Sequence, residues 1–331
     1  MSMRSSKVDH VRRALIAATV VSTFTTTGLA QAAYPTRSIR VIVPFAAGSA
    51  SDVVGRIVLD RMADDLGHRF VVENQAGAAG NLGTAAAARA TPDGYTLLVS
   101  ASGPLAVNQS LYENIGYDPL TAFEPISLIA TLPSLIVVTN GVPIKSVPEL
   151  IAAAKEKPGT LNYGSIGNGS SQHLAGAYFE QFTGTKMTHV PYRVTGQLVT
   201  DLVAGQVQVS FQLIPNVIGQ VQGGQLRPLA VAAPQRSAAL PDVPTTQEAG
   251  LPGFSAYGWF AMLAPKGTPQ PMIDRLHAAY TKALADPAIR KRIVEVGAEP
   301  ASSTPAELRI FMAEEAKRWG DLIRTNNIKA N

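Results

Sequence analysis

The sequence predicts an α/β protein of two units, each a sheet covered by helices, and three observations carry that prediction. Short β-branched runs alternate with stretches of helical spacing through most of the chain. The alternation runs strand–helix–strand–helix–strand between Ile39 and Ser100 and starts afresh near Leu135, the signature of parallel, doubly wound sheets. Finally, 331 residues with 46% hydrophobic and 16% charged side chains are too many for one small core and suit two ordinary ones, while 28 Gly and 23 Pro supply the turns.

Ile39–Val43 is short and β-branched, a strand. Pro44–Ser51 is a turn, and Asp52–Leu66 carries Val53, Val54, Ile57, Val58 and Met62 at helical spacing. Phe70–Glu73 is the next strand, followed by a glycine-rich loop and an alanine-rich helix through Arg89. Pro92-Asp93-Gly94-Tyr95 is a turn before the strand Thr96–Ser100. In the second unit Ser134–Thr139 is a strand, and Ser146 with Glu149 predicts a helix opened by a capping box. Leu161–Ser165 is a strand ending in a Gly/Ser loop, with a helix over Ser171–Phe182. His189–Tyr192 is a short strand, Val199–Val203 is helical, and Val207–Phe211 and Leu229–Ala233 are strands. Pro241–Pro252 is turn-rich and Gly258–Ala264 is an apolar strand. The last quarter is helical over Pro271–Ala285, Pro287–Val296 and Pro305–Asn326. No solenoid repeat and no low-complexity linker occurs, so strands rather than a tether should join the units.

The N-terminus reads as a secretory signal peptide. Arg4, Lys7, Arg12 and Arg13 precede the apolar run Ala14–Val21, and Ala30-Gln31-Ala32 is a small-residue cleavage site. The run is too short for a bilayer, which needs ~20 residues. Arg12-Arg13 raises the twin-arginine route, but Ala14-Leu15 follows, which favours general secretion. Residues 1–32 hold four of the 28 Lys/Arg and one of the 24 Asp/Glu, so the mature chain is nearly neutral. No basic stripe is left for a nucleic-acid partner. No cysteine occurs, which excludes disulfide scaffolds, thiolate metal sites and lipoprotein anchoring.

Signatures of catalysis are missing. The chain has no H-E-x-x-H, no G-x-S-x-G and no Walker motif. The mature histidines, His68, His173, His189 and His277, never stand at i, i+4, which argues against a metal site. Gly77-Ala78-Ala79-Gly80-Asn81-Leu82-Gly83 leads into a helix but lacks the dinucleotide spacing. A hydrolase reading has only His173 beside Ser170 and Ser171, and closeness in sequence is not triad geometry. What remains is a set of neutral loops at strand ends: Ala47–Ser51, Ser100–Gly103 and Ser165–Ser171. Each precedes a helix, and in doubly wound sheets ligands bind beyond the carboxyl ends of the strands. Helix N-termini favour anions, and small side chains let a ligand approach the backbone. Three converging loops of this kind would hold a carboxylate without a fixed counter-charge, as a receptor rather than a catalyst does.

An ordered series of motifs matches one family over nearly the whole mature chain, from Tyr34 to about Lys329. The series includes Tyr34-Pro35-x-Arg37, Val43-Pro44-Phe45 with Gly48 and Asp52, and Val72-Glu73-Asn74 with Gly80-Asn81-Leu82-Gly83. It continues with Pro92-Asp93-Gly94-Tyr95-Thr96-Leu97, Leu161-Asn162-Tyr163-Gly164-Ser165, His173-Leu174-Ala175 and His189-Val190-Pro191-Tyr192. It ends with Gly205-Gln206-Val207, Pro241-Asp242-Val243-Pro244-Thr245 and Gly267-Thr268-Pro269. The chain thereby resembles the Bug-type (Bordetella uptake gene) extracytoplasmic solute receptors of tripartite tricarboxylate transporters.

The resemblance implies a two-lobe periplasmic binding protein of type II, a Venus flytrap, holding a small carboxylate in its cleft for membrane permease subunits. It implies lobe 1 at 34–133 plus 257–331 and lobe 2 at 134–256, with crossing strands near Leu132 and Gly258. A periplasmic monomer without cofactor or metal is expected, and the competing readings are a secreted small-ester hydrolase and a ligand sensor. The family's pocket loops fall on Pro44–Ser49, Ser100–Ser102, Ser165–Ser171 and Arg193–Gly196, the first three being those chosen from sheet logic. The expected ligand-binding residues are Phe45, Ala47, Gly48, Ser49, Asp52, Ser100, Ser102, Ser165, Gly169, Ser170, His173, Arg193, Thr195 and Gln212.

Three departures from the family pattern bear on the ligand. Ala46-Ala47-Gly48-Ser49 replaces Pro-Pro-Gly-Gly, which adds a hydroxyl and loosens the loop. Arg193-Val194 replaces Lys-Gly; Arg193 either grips a carboxylate bidentately or lies on the solvated surface. Gln212 stands where Asp often follows Phe211. Either Gln212 never touches ligand, or its uncharged amide selects one without an ammonium group.

Overall fold

The structure, a computed structural model, describes residues 34–192 and 194–329. The signal segment 1–32 and Arg193 lie outside the described residues.

β1 (Ile39–Val43) leads into α1 (Ala50–Leu66), which stops at Gly67 in the left-handed conformation, φ 71°, with its N–H on the Ala63 carbonyl. β2 (Phe70–Asn74), α2 (Asn81–Ala88) and β3 (Thr96–Ala101) follow, and β1 pairs in parallel with both β2 and β3. Gly83 explains part of the glycine-rich loop: a Cβ there would lie 2.5 Å from the Gln75 carbonyl oxygen and 2.9 Å from Pro44. Helix α2 therefore sits directly on the end of β1. Beyond β3 the chain makes a wide π-type turn, Gly103–Val107, and one short helix, α3 (Asn108–Leu111). Next come β4 (Phe123–Thr139), α4 (Val147–Glu156), β5 (Asn162–Ser165), α5 (Ser171–Thr183), β6 (Thr188–Pro191), α6 (Thr195–Val203), β7 (Val209–Leu213), α7 (Ile214–Gln222) and β8 (Leu226–Val231). β9 (Tyr257–Pro265), α8 (Gln270–Ala285), α9 (Pro287–Glu295), β10 (Glu299–Pro300) and α10 (Pro305–Thr325) complete the described chain.

Neighbouring strands run in the order β2-β1-β3-β9-β4-β7-β5-β6. The expectation of parallel sheets holds within the βαβ units only: β5 pairs in parallel with β6 and β7, but β9 is antiparallel to β3 and β4, and β4 to β7 and β8. The sheet is mixed. A helical crossover returns a strand parallel to its predecessor. β4 and β9 are not linked to their neighbours that way, because they carry the chain from one half of the molecule to the other.

β4 is the largest departure from the sequence reading, whose local pattern has a strand only over Ser134–Thr139 and whose family resemblance adds a crossing strand near Leu132 but nothing back to Phe123. Phe123–Pro133 pairs with β9, and Ser134–Thr139 with β7 and β8. Pro125 and Pro133 read as strand breakers, yet Pro125 sits at a register shift and Pro133 where the strand changes partners. α7 was hidden by Pro215, which occupies the first turn, where its missing N–H costs nothing. α6 starts at Thr195, four residues before the expected Val199. The expected capping box at Ser146 is half formed. Ser146 Oγ accepts from Glu149 N at 3.3 Å, but Glu149 Oε2 accepts from Lys145 N at 2.7 Å rather than from the cap itself. The full box is at Thr304 and Glu307, opening α10.

Ile42, Leu98, Trp259 and Leu308 centre the core of one half, under α10. Tyr163, Phe179, Phe211 and Phe254 centre the other. Each such side chain contributes ~1.5–3 kcal/mol on burial. A separate cluster joins the halves: Val107 and Leu111 beside β3, Leu174 on α5, and Trp319, Leu322 and Ile323 on α10.

Candidate functional site

The loops after β1 and β5 share one local design. Each ends in a glycine at positive φ (Gly48 78°, Gly169 77°) and a serine N-cap with nearly identical dihedrals (Ser49 −65°, 158°; Ser170 −64°, 158°). In each, the serine oxygen accepts from the N–H three residues on, Asp52 N at 3.4 Å and His173 N at 3.3 Å. In each, the side chain at that third position reaches back to the glycine. Asp52 Oδ2 accepts from Gly48 N at 2.9 Å, and His173 Nδ1 from Gly169 N at 2.9 Å.

Their supports differ in charge. Asp52 Oδ1 also accepts from Arg56 Nε and Asn74 Nδ2, both at 3.0 Å. Burial alone would raise this carboxyl, but the Gly48 N–H, the Asn74 amide and the Arg56 guanidinium outweigh it and hold the pKa below the usual range. His173 instead stacks on His189, ring centroids 4.0 Å apart and 6° from parallel. Burial pushes both rings down to about 4, and for His173 the second imidazole adds to the effect. Both are therefore neutral at pH 7. Since His173 Nδ1 accepts from Gly169, its proton is on Nε2. His189 Nε2 lies 2.6 Å from Ser165 Oγ, which also accepts from Gly167 N at 3.1 Å.

Above these loops opens a cavity of about 780 Å³, where the two halves of the sheet meet. Its described wall contains no charged side chain. Ala50 and Ser51 of α1 and Ser171 and Gln172 of α5 line it, and these are first-turn residues whose N–H groups have no partner inside a helix. Aromatic residues complete the wall: Phe45, Tyr112, Tyr192, Tyr257, Phe260 and both tryptophans, with the Trp259 side chain itself fully buried. Trp259 Nε1 and Trp319 Nε1 each donate to Glu315 Oε2 at 3.0 Å, and Arg318 Nη1 donates to Glu315 Oε1 at 3.2 Å.

Six of the expected ligand residues line this cavity: Phe45, Ser49, Ser102, Gly169, Ser170 and Thr195. Ala47 and Gly48 face solvent at the outer edge of their loop and are not in the wall. Asp52 and His173 stand behind the wall as supports. Ser100 is fully buried, 3.5 Å from Thr84 Oγ1, because it faces α2. Ser165 is fully buried on His189. Gln212 is fully buried in β7, where its Nε2 donates to Ser210 Oγ at 2.9 Å and its Oε1 accepts from Asn216 Nδ2 at 3.1 Å. Arg193 lies outside the described residues.

Sequence reasoning missed Asn108, Tyr112, Ser134, Gln172, Asn216 and Trp319 in the wall. Asn216 was within reach of the strand-end argument, since it follows the end of β7 by three residues. Trp319 had no such signal, because α10 arrives from 150 residues away. His173 and His189 do meet, though no group of three potential ligands that could hold a metal exists among the described residues.

A mixed α/β sheet in two halves, with an uncharged cavity walled by helix N-termini at their meeting, defines a solute-binding protein of the periplasmic type. Residues 54–328 match the model of the tripartite tricarboxylate transporter family receptor. The chain belongs to that family. It is 38% identical to protein BugT of Bordetella pertussis over 297 residues, 89% of this chain and 91% of that one. Among solved structures it resembles R. palustris Rpa4515 with adipate, at 34% identity and TM-score 0.81, covering 89% of this chain and 99% of that one. It also resembles MatC from Rhodopseudomonas palustris with bound malate, at 33% identity and TM-score 0.75, covering 88% and 100%. Among the described residues no helix is long and apolar enough to cross a membrane.

Proposed function

We propose that this receptor captures a small organic acid, a di- or tricarboxylate or an aromatic acid, in the cavity and hands it to the permease subunits of a tripartite transporter. The observation that carries the reading is the pair of helix N-termini in one uncharged cavity, on α1 and α5. Free N–H groups and the helix dipole favour an anion at each, and aromatic rings between them suit the carbon skeleton. Adipate and malate in the two relatives support the same chemistry. The protein works in the periplasm as a monomer, after export and removal of residues 1–32 near Ala32.

The lobes are residues 34–133 plus 257–331, and residues 134–256. The change of partner in β4 between Pro133 and Ser134 supports this division, since Pro133 pairs with Tyr257 of β9 and Ser134 with Leu213 of β7. Closure bends the chain at those crossings and brings the two N-termini onto one ligand. The protein binds without turnover. Ser170 Oγ donates to the Gly167 carbonyl at 2.7 Å and caps α5, and the His173 nitrogen nearest the loop accepts from Gly169, so this serine has no base.

Calorimetry and melting of residues 33–331 with mono-, di- and tricarboxylates, aromatic acids and amino acids test the reading. At 100 times Kd a ligand adds ~2.7 kcal/mol, a rise of a few degrees in Tm. One class of acids should bind stoichiometrically and be recovered unchanged. An amino acid binding tighter than every acid, or turnover of the bound acid, would refute it.

A further inference from the structure

A buried relay of side chains ends at the cavity, and its polarity can be read from its inner end. Gly164 in β5 offers only a carbonyl oxygen, and Ser210 Oγ lies 2.7 Å from it, so Ser210 must donate. With its single proton committed, Ser210 Oγ accepts from Gln212 Nε2 at 2.9 Å. The Gln212 oxygen therefore faces outward and accepts from Asn216 Nδ2 at 3.1 Å. Ser210 and Gln212 are fully buried, so water cannot substitute for a missing link. The orientation of the Asn216 amide is thus fixed by a backbone carbonyl three residues of the relay away. Asn216 lines the cavity, and its Oδ1 makes no hydrogen bond among the described residues.

The geometry points to Asn216 as a specificity residue that reads a hydroxyl on the ligand. An amide oxygen held toward the cavity can only accept. It repels a carboxylate oxygen, gains nothing from a methylene, and is satisfied by an O–H or N–H donor. An ammonium group would need a nearby anion, and the described wall has none: Asp52 is behind the loop with three donors on it. The donor that fits is the neutral hydroxyl of a hydroxy-substituted carboxylate. The inference rests on the carboxylate-receptor reading and adds to it the substituent between the acid groups.

Matched pairs of acids test it by calorimetry on the mature protein: succinate with malate, tricarballylate with citrate, adipate with 3-hydroxyadipate. In at least one pair the hydroxylated acid should bind about 10-fold tighter. Asn216→Leu should bring that ratio to within about twofold, a change that general loosening of the cavity would not produce, since it weakens both members alike. Asn216→Asp should raise the affinity for aspartate relative to malate by about 10-fold, because an anion then faces the cavity. If acids bind but no pair shows the preference, or the preference survives Asn216→Leu, or aspartate gains nothing in Asn216→Asp, Asn216 does not read a hydroxyl and the receptor reading stands. If no acid of any pair binds, the hydroxyl reading falls, and if no aromatic acid binds either, the receptor reading falls with it.

Discussion

The two loops that cap α1 and α5 are the same backbone device with opposite electrical supports. Glycine at positive φ, serine cap and a reaching third side chain recur with dihedrals that agree within a degree. One loop is held by a carboxylate wedged among an arginine, an asparagine and a backbone N–H, the other by a neutral imidazole stacked on a second imidazole. The difference teaches that loop shape follows from glycine and cap, whereas response to conditions follows from what braces them. The Asp52 brace holds its charge through neutral and mildly acidic pH. The His173 brace works only while uncharged.

Acidification should separate them most. Both imidazoles ionise near 4 in the folded chain against an ordinary value of 6.5. Between those values the unfolded chain binds more protons, so stability is complete above pH 6.5 and is lost as pH falls to about 4. At ~1.4 kcal/mol per unit for each ring, discounted for partial exposure and for the second proton being harder to add, the pair loses ~4 kcal/mol. Urea melts across this range should show it. His189→Phe, which keeps a stacked ring, should roughly halve the loss, and an unchanged acid slope would mean the rings titrate normally.

Breaking the charged brace comes next. Asp52→Ala removes the acceptor of the Gly48 N–H, of Asn74 Nδ2 and of Arg56 Nε at a side chain only 4% exposed, while Arg56 keeps its bond to Asn74 Oδ1, and should cost about 2 kcal/mol in urea unfolding at pH 7. A cost under 1 kcal/mol would show that glycine and cap suffice. The glycines should then differ from each other. Gly48→Ala meets nothing within 4 Å and bears only the left-handed strain, ~1 kcal/mol. Gly169→Ala bears the same strain and in addition puts a Cβ 2.2 Å from Leu111 Cδ1, in the cluster that joins the halves, for ~2–3 kcal/mol in all. Equal losses would mean Leu111 yields freely. Smallest is the pair of caps: Ser49→Ala and Ser170→Ala should each cost ~1 kcal/mol. Ser170→Ala should be the larger, since Ser170 also donates to the Gly167 carbonyl at 2.7 Å, whereas the second contact of Ser49, with Ser51 Oγ, is a long 3.3 Å.

Most of the repeating elements were legible because their signals are local. β1, α1, β3 and α5 declare themselves through β-branched runs and 3.6-residue spacing, although the sequence reading begins α1 two residues late, at Asp52, and does not name Ser49 or Ser170 as caps. The failures are non-local. Pro125 and Pro133 forbid an ordinary central strand, and only pairing with distant β9 makes Phe123–Pro133 one. The site divides in the same way. Strand-end logic finds the loops, but cannot say which of their polar side chains face ligand. Ser100, Ser165 and Gln212 point inward because alternation along a strand is fixed by the sheet's packing, not by residue type. The opposed His173 and His189 come from α5 and β6, and their stacking is a property of how that helix lies on the sheet.

The shared carboxylate of Glu315 has an optical corollary. The chain contains two tryptophans, and both stand in the cavity wall with their N–H groups on that one oxygen. All the indole emission of the protein therefore originates at the place where a ligand would sit. Both rings are buried, Trp259 fully, so anything that enters acts on them by shifting the wall or the carboxylate that both rings share, and the colour and brightness of the emitted light change with it. A binding isotherm can be recorded from the native chain with no dye attached.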